Sequence, residues 1–110
     1  FFDADAYFRL VDRVRALGCD LPIIPGIMPI TLYSQVRRFA EFSGAALPAA
    51  VVARLDEVAD DPAAVREVGP SIGVDLARRL LAGGAPGLHF FTQNRSAATR
   101  SILTRLRGTD

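Results

Sequence analysis

At 110 residues the chain is one domain or part of one. Half of its residues are hydrophobic, enough to build a core, and 13 cations against 12 anions leave a formal charge of +1, which gives no electrostatic reason to expect nucleic acid or an acidic membrane as partner. All 13 cations are Arg, so a lysine Schiff base is excluded, and Cys19 is the one cysteine, so neither an intrachain disulfide nor a cysteine metal cluster can form.

No apolar stretch reaches the roughly 18 residues of a membrane span. The opening Phe1-Phe2-Asp3-Ala4-Asp5 lacks the basic start of a signal peptide. A soluble, cytoplasmic protein is the expectation.

Phe1-Phe2 reads as the tail of a strand whose beginning precedes the given sequence. Asp3 or Asp5 supplies the N-cap of a first helix to about Leu17, with Phe8, Val11, Val14 and Leu17 along one face and Gly18 as the C′ residue. Leu21-Pro22-Ile23-Ile24 reads as a short strand, Pro22 being tolerable at its start. Pro25 has no N–H to donate, so pairing is expected to fail there, with Gly26 letting the backbone turn. Thr31 or Ser34 caps a second helix to Phe42, which Gly44 stops. Pro48 suits the first turn of a third helix, ending near Asp56. Asp61-Pro62 opens a fourth, running through Val65 and Val68 to Leu81, with Gly69-Pro70 expected to kink or interrupt it. Gly83-Gly84-Ala85-Pro86-Gly87 is a break, Leu88 to Thr92 is the last strand, and Asn94 or Ser96 starts a closing helix with Ile102, Leu103 and Leu106 on its apolar side.

Strands alternating with helices in this way predict an α/β fold with about three parallel strands and covering helices. Three strands make a thin sheet, because a parallel sheet needs both faces covered and its edges managed. The chain therefore reads better as the last part of a larger barrel than as an independent domain.

Two runs are the most informative: Ile23-Ile24-Pro25-Gly26-Ile27-Met28-Pro29 and His89-Phe90-Phe91-Thr92-Gln93-Asn94-Arg95. Each passes from strand to polar loop to helix, and in parallel α/β folds ligands are held at such mouths. Gln35 and Phe39 lie one helical turn apart, so an amide and a flat aromatic share a face, a suitable pair for a planar heteroaromatic ligand. The same spacing suits a core Phe39 and a solvated Gln35. Along the last strand, Leu88, Phe90 and Thr92 face one way and His89, Phe91 and Gln93 the other. Arg95, on the loop beyond, could grip a carboxylate bidentately or be an ordinary surface arginine. His89, within apolar sequence, reads as a hydrogen-bonded core histidine. Asp56, Glu57, Asp60 and Asp61 coincide with a helix end and the next helix's cap, which favours a solvated structural role over acid–base or metal chemistry. No glycine-rich phosphate loop, zinc spacing or nucleophile elbow is present.

In order along the chain, Ile24-Pro25-Gly26-Ile27-Met28-Pro29, Gln35-Val36-Arg37-Arg38-Phe39 and His89-Phe90-Phe91-Thr92-Gln93-Asn94-Arg95 resemble the methylenetetrahydrofolate reductase family, as does the Phe1-Phe2-Asp3 start. The family patterns are Ile-Pro-Gly-Ile-Leu/Met-Pro, His-Phe-Tyr-Thr-Leu-Asn-Arg and the end of Gln-Phe-Phe-Phe-Asp. The resemblance covers essentially the whole chain. It implies a (β/α)₈ TIM barrel carrying FAD, of which residues 1–110 would be the C-terminal portion, the N-terminal part being absent. The implied reaction passes a hydride from NAD(P)H to the flavin and then to methylenetetrahydrofolate, giving methyltetrahydrofolate, in an enzyme expected to be a homo-oligomer at full length. Gln35 and Arg95 match family positions that contact the folate, Phe39 the aromatic that stacks on folate or nicotinamide, and Phe91 a substrate-contacting Tyr. Phe91 in place of Tyr forfeits a hydroxyl, and Gln93 in place of Leu alters the pocket wall. The family's general-acid Glu and main flavin contacts lie upstream of residue 1, so the segment alone is expected to be inactive. Two alternatives stay open: a non-catalytic barrel-derived binding or assembly module, and another (β/α)₈ enzyme.

Overall fold

Helices dominate the computed structural model, which describes residues 1–31, 33–44, 47–92 and 95–108, the side chains of residues 33, 34, 39 and 43 lying outside that description. The order of elements is α1 (Ala4–Ala16), β1 (Gly26–Ile27), α2 (Tyr33–Ser43), α3 (Ala49–Asp56), α4 (Pro62–Ala82), β2 (His89–Phe90) and α5 (Ala97–Leu106).

The helix ends follow their local chemistry. The Asp3 carboxylate accepts from the Asp5 N–H at 3.0 Å, and the Asp61 carboxylate accepts from the Ala63 and Ala64 N–H groups at 3.1 and 3.3 Å. Each satisfies donors that a first helical turn leaves unpaired. Gly18 and Gly44, just past α1 and α2, have φ of +85° and +72°, the left-handed conformation in which glycine alone escapes a steric penalty.

The strands differ from expectation. Leu21-Pro22-Ile23-Ile24 is not a strand; pairing starts later, with Gly26 opposite His89 and Ile27 opposite Phe90 in a parallel ladder. The His89 N–H donates to the Pro25 carbonyl at 3.0 Å and the Phe91 N–H to the Ile27 carbonyl at 2.9 Å. Proline lacks a donor, but its carbonyl is free to accept, so Pro25 opens the ladder instead of ending it. Among the described residues the sheet has two strands rather than about three. Phe1-Phe2 is not a strand, although the Phe1 nitrogen donates to the Gly26 carbonyl at 2.6 Å. Successive carbonyls of a strand point to opposite edges, so the chain start runs along the β1 edge away from β2.

Helix α4 passes uninterrupted through Gly69 and Pro70. Pro70 forfeits one helical hydrogen bond, a loss outweighed because the helix is buried on both sides of it. Gly69, itself buried, lies so close to the Ile30 carbonyl that a Cβ there would collide with it. Two clusters make the core. One joins Phe2, Met28 and Ile30 to Val36 and Ala40 of α2, Leu55 of α3, and Val65 and Ile72 of α4. The other seats Ile27 and Phe90 of the sheet on Tyr7 of α1 and Leu76 and Leu80 of α4. Helix α5 locks onto α4 where Ile102 fills the space that Gly73 leaves open. The expected apolar face of α1 is shifted: Tyr7 is buried, with its hydroxyl donating to the Ile23 carbonyl at 2.7 Å, while Leu17 is 86% exposed. No helix among the described residues is long and apolar enough to cross a membrane.

Candidate site at the strand ends

Because β1 and β2 are parallel neighbours, the segments that follow them leave the sheet at the same end. Residues 28–35 lead from β1 into α2, and residues 91–96 lead from β2 into α5. This register unites two runs that are about sixty residues apart in sequence.

Strand alternation decides which side chains face outward from the helices. Ile27 and Phe90, in register, both pack into the helix-side cluster. Gly26 and His89 consequently face the opposite side, where Phe91 joins them. The Phe91 ring lies over Gly26, in space that a Cβ would take, and meets the His89 ring edge to face, with centroids 4.9 Å apart and planes at 79°. Both aromatic residues are exposed, Phe91 to 44%. His89 is therefore not a core histidine: its strand position aims it away from the helices that bury its neighbours.

Gln35 sits in the first turn of α2, half-buried, and its side-chain carbonyl accepts from the Thr31 hydroxyl at 3.4 Å. Phe39 follows one turn later on the same helix, with its side chain outside the described residues. Arg95 is exposed just ahead of α5, and its N–H donates to the Thr92 carbonyl at 2.9 Å. Gln93 and Asn94 lie outside the described residues, as does the Ser34 side chain that was one candidate cap. The assembly offers an amide, an aromatic platform and a guanidinium at one end of a parallel sheet. That set can hold a planar, hydrogen-bonding ring with an anionic tail.

The remaining charged groups offer less. Asp56, Glu57, Asp60 and Asp61 are exposed, with Asp61 serving as the α4 cap. Among the described residues no group of three or more His, Cys, Asp or Glu could hold a metal. A cavity of about 310 Å³ between the start of α1, α3 and α4 is floored by Phe2, Ile72 and Leu76. Its rim charges are paired with one another, Arg54 with Asp75 and Arg79 with Asp5, each at 2.9 Å.

Comparison with known proteins identifies the kind of chain that carries this arrangement. The sequence model of the methylenetetrahydrofolate reductase family matches residues 1–107. The chain belongs to the methylenetetrahydrofolate reductase family. It is 42% identical over 106 residues to methylenetetrahydrofolate reductase 1 of Schizosaccharomyces pombe, covering 96% of this chain and 18% of that protein. It is 37% identical over 107 residues to the probable methylenetetrahydrofolate reductase (NADPH) of Caenorhabditis elegans, covering 96% of this chain and 16% of that one. It is 35% identical over 106 residues to methylenetetrahydrofolate reductase (NADH) 1 of Zea mays, covering 96% and 18%. The chain thus spans less than a fifth of the length of these relatives.

Two further residues join this candidate site in the structure. Thr31 stands four residues before Gln35, a helical spacing that could have flagged the pair. Gly26 was read as a turn residue, yet its φ is not among the positive ones. What demands glycine there is a ring contributed by the other strand, for which the local sequence holds no signal.

Proposed function

We propose that this chain forms the folate-facing wall of an FAD-dependent methylenetetrahydrofolate reductase, as the C-terminal part of its (β/α)₈ barrel. The parent enzyme reduces methylenetetrahydrofolate to methyltetrahydrofolate at the expense of NAD(P)H. The observation that carries this reading is the parallel register of Gly26 with His89 and Ile27 with Phe90, which sends Gln35, Phe91 and Arg95 to one end of the sheet.

The residues suit a folate. Its pterin is planar and rimmed with donors and acceptors, which an amide can answer and an aromatic ring can cover. Its tail carboxylates are anionic, which a guanidinium grips with two parallel hydrogen bonds. In this reading Gln35 hydrogen-bonds the polar edge of the folate, Phe39 and Phe91 flank its ring, and Arg95 holds its anionic part. No residue of this chain is assigned to the flavin, and hydride transfer is left to groups contributed elsewhere in the enzyme.

The test uses the full-length flavoenzyme. Gln35→Ala and Phe39→Ala are expected to raise KM for methylenetetrahydrofolate by about two- to tenfold each, the range of one neutral hydrogen bond or one aromatic contact, with FAD content near normal. Unchanged folate kinetics in both variants would reject the assignment.

A further inference from the structure

Gly26 is the feature that the family reading leaves unexplained. It lies inside the β1 ladder opposite His89, has no left-handed φ, and caps no helix. Inside a strand glycine is a poor choice, since it packs nothing and loses the most backbone entropy on folding. The structure supplies one local reason for it: the Phe91 ring occupies the volume above its Cα.

We infer that Gly26 is a positioning residue for the substrate: by lacking a Cβ it lets the Phe91 ring settle against β1, where the ring packs edge to face with His89, and so builds an aromatic platform for the pterin. Three independent facts converge on this. The ring and Gly26 are in closest contact, the His89 and Phe91 rings pack at 4.9 Å, and both rings lie on the sheet face that the helices leave open. Edge-to-face pairing fixes the tilt of a ring as well as its place. The inference rests on the proposed placement of Phe91 against folate and adds the means by which that ring is held.

The geometry separates a positioning role from a purely structural one. The atoms that a Cβ at Gly26 would meet are Cε2 and Cζ, the far end of a side chain that is 44% exposed. Those atoms end a side chain with two rotatable bonds and not a stretch of backbone, so Gly26→Ala should displace the ring and leave the fold intact.

In the full-length flavoenzyme, Gly26→Ala is expected to raise KM for methylenetetrahydrofolate about three- to tenfold, with thermal stability and FAD content as in the parent. Phe91→Ala should raise KM by a similar factor, and Gly26→Ala should add nothing in the Phe91→Ala background. An unchanged KM for Gly26→Ala beside a raised KM for Phe91→Ala overturns the inference. So does a Gly26→Ala protein that fails to fold or loses its flavin, because the role is then structural. If Phe91→Ala is itself silent, there is no platform to position and the inference falls. Gln35→Ala, measured alongside, then shows whether the folate reading falls with it or stands without Phe91.

Discussion

At the scale of single residues, Arg95 carries the plainest prediction. It is exposed, and its backbone N–H bonds the Thr92 carbonyl just beyond β2. A charge-assisted bond to a carboxylate is worth about 1.5–3 kcal/mol, so Arg95→Ala should raise KM for methylenetetrahydrofolate by about ten- to a hundredfold. Arg95→Lys should recover part of the loss, since an ammonium keeps the charge and forfeits the bidentate geometry. Steady-state kinetics at two salt concentrations checks this, and the gap between wild type and Arg95→Ala should narrow at high salt. Residues whose role is set by chemical type, such as Gln35 and Arg95, were legible as candidates in the sequence. Gly26 and His89 were not, because their placement depends on which residue the neighbouring strand brings opposite them.

At the scale of elements, the helices and the last strand were readable, since β2 (His89–Phe90) falls inside the Leu88–Thr92 run, and the position of the first strand was not. Asp3, Asp61-Pro62, Gly18 and Gly44 mark helix ends through hydrogen bonds and dihedral preferences within a few residues, and the structure places helix boundaries at each of them. The apolar stretch from Leu21 to Met28 carries no comparable mark. Its ladder begins at Pro25 because β2 offers the His89 N–H there, a fact held by the partner strand. Gly69-Pro70 misleads for a similar reason: the local signal for a break is real, and burial against the Ile30 backbone overrides it. Two glycines of the same chain should therefore respond in opposite ways. A Cβ at Gly69 meets a backbone carbonyl, which cannot swing aside, so Gly69→Ala should cost about 1–3 kcal/mol of stability. Truncating fully buried Ile102 at the α4–α5 contact should cost about 2–5 kcal/mol. Thermal unfolding of both variants in the full-length enzyme tests this. A melting midpoint equal to the parent's in Gly69→Ala would contradict the packing described for α4.

At the scale of the whole molecule, the chain is a wedge with one finished side. Its radius of gyration is 14.2 Å and its extents are 46 × 33 × 25 Å, against roughly 13 Å for a compact domain of this length. Helices α1, α4 and α5 cover one face of the sheet, while Ile24, His89 and Phe91 are exposed and the sheet has only two strands among the described residues. The β2 edge and the bare apolar surface favour association. The 110-residue polypeptide expressed by itself should self-associate in sedimentation velocity; a monomer with one sharp two-state melt would contradict this.

The folate wall is tested most directly by following the flavin in the full-length enzyme. After reduction by NAD(P)H, its reoxidation by methylenetetrahydrofolate is timed in the wild type and in the Gln35→Ala and Arg95→Ala double variant. The account predicts the same yellow cofactor content in both and, at a fixed subsaturating folate concentration, at least a tenfold slower reoxidation in the double variant. Equal reoxidation rates in the two proteins, or a full-length protein that binds no flavin, would contradict it.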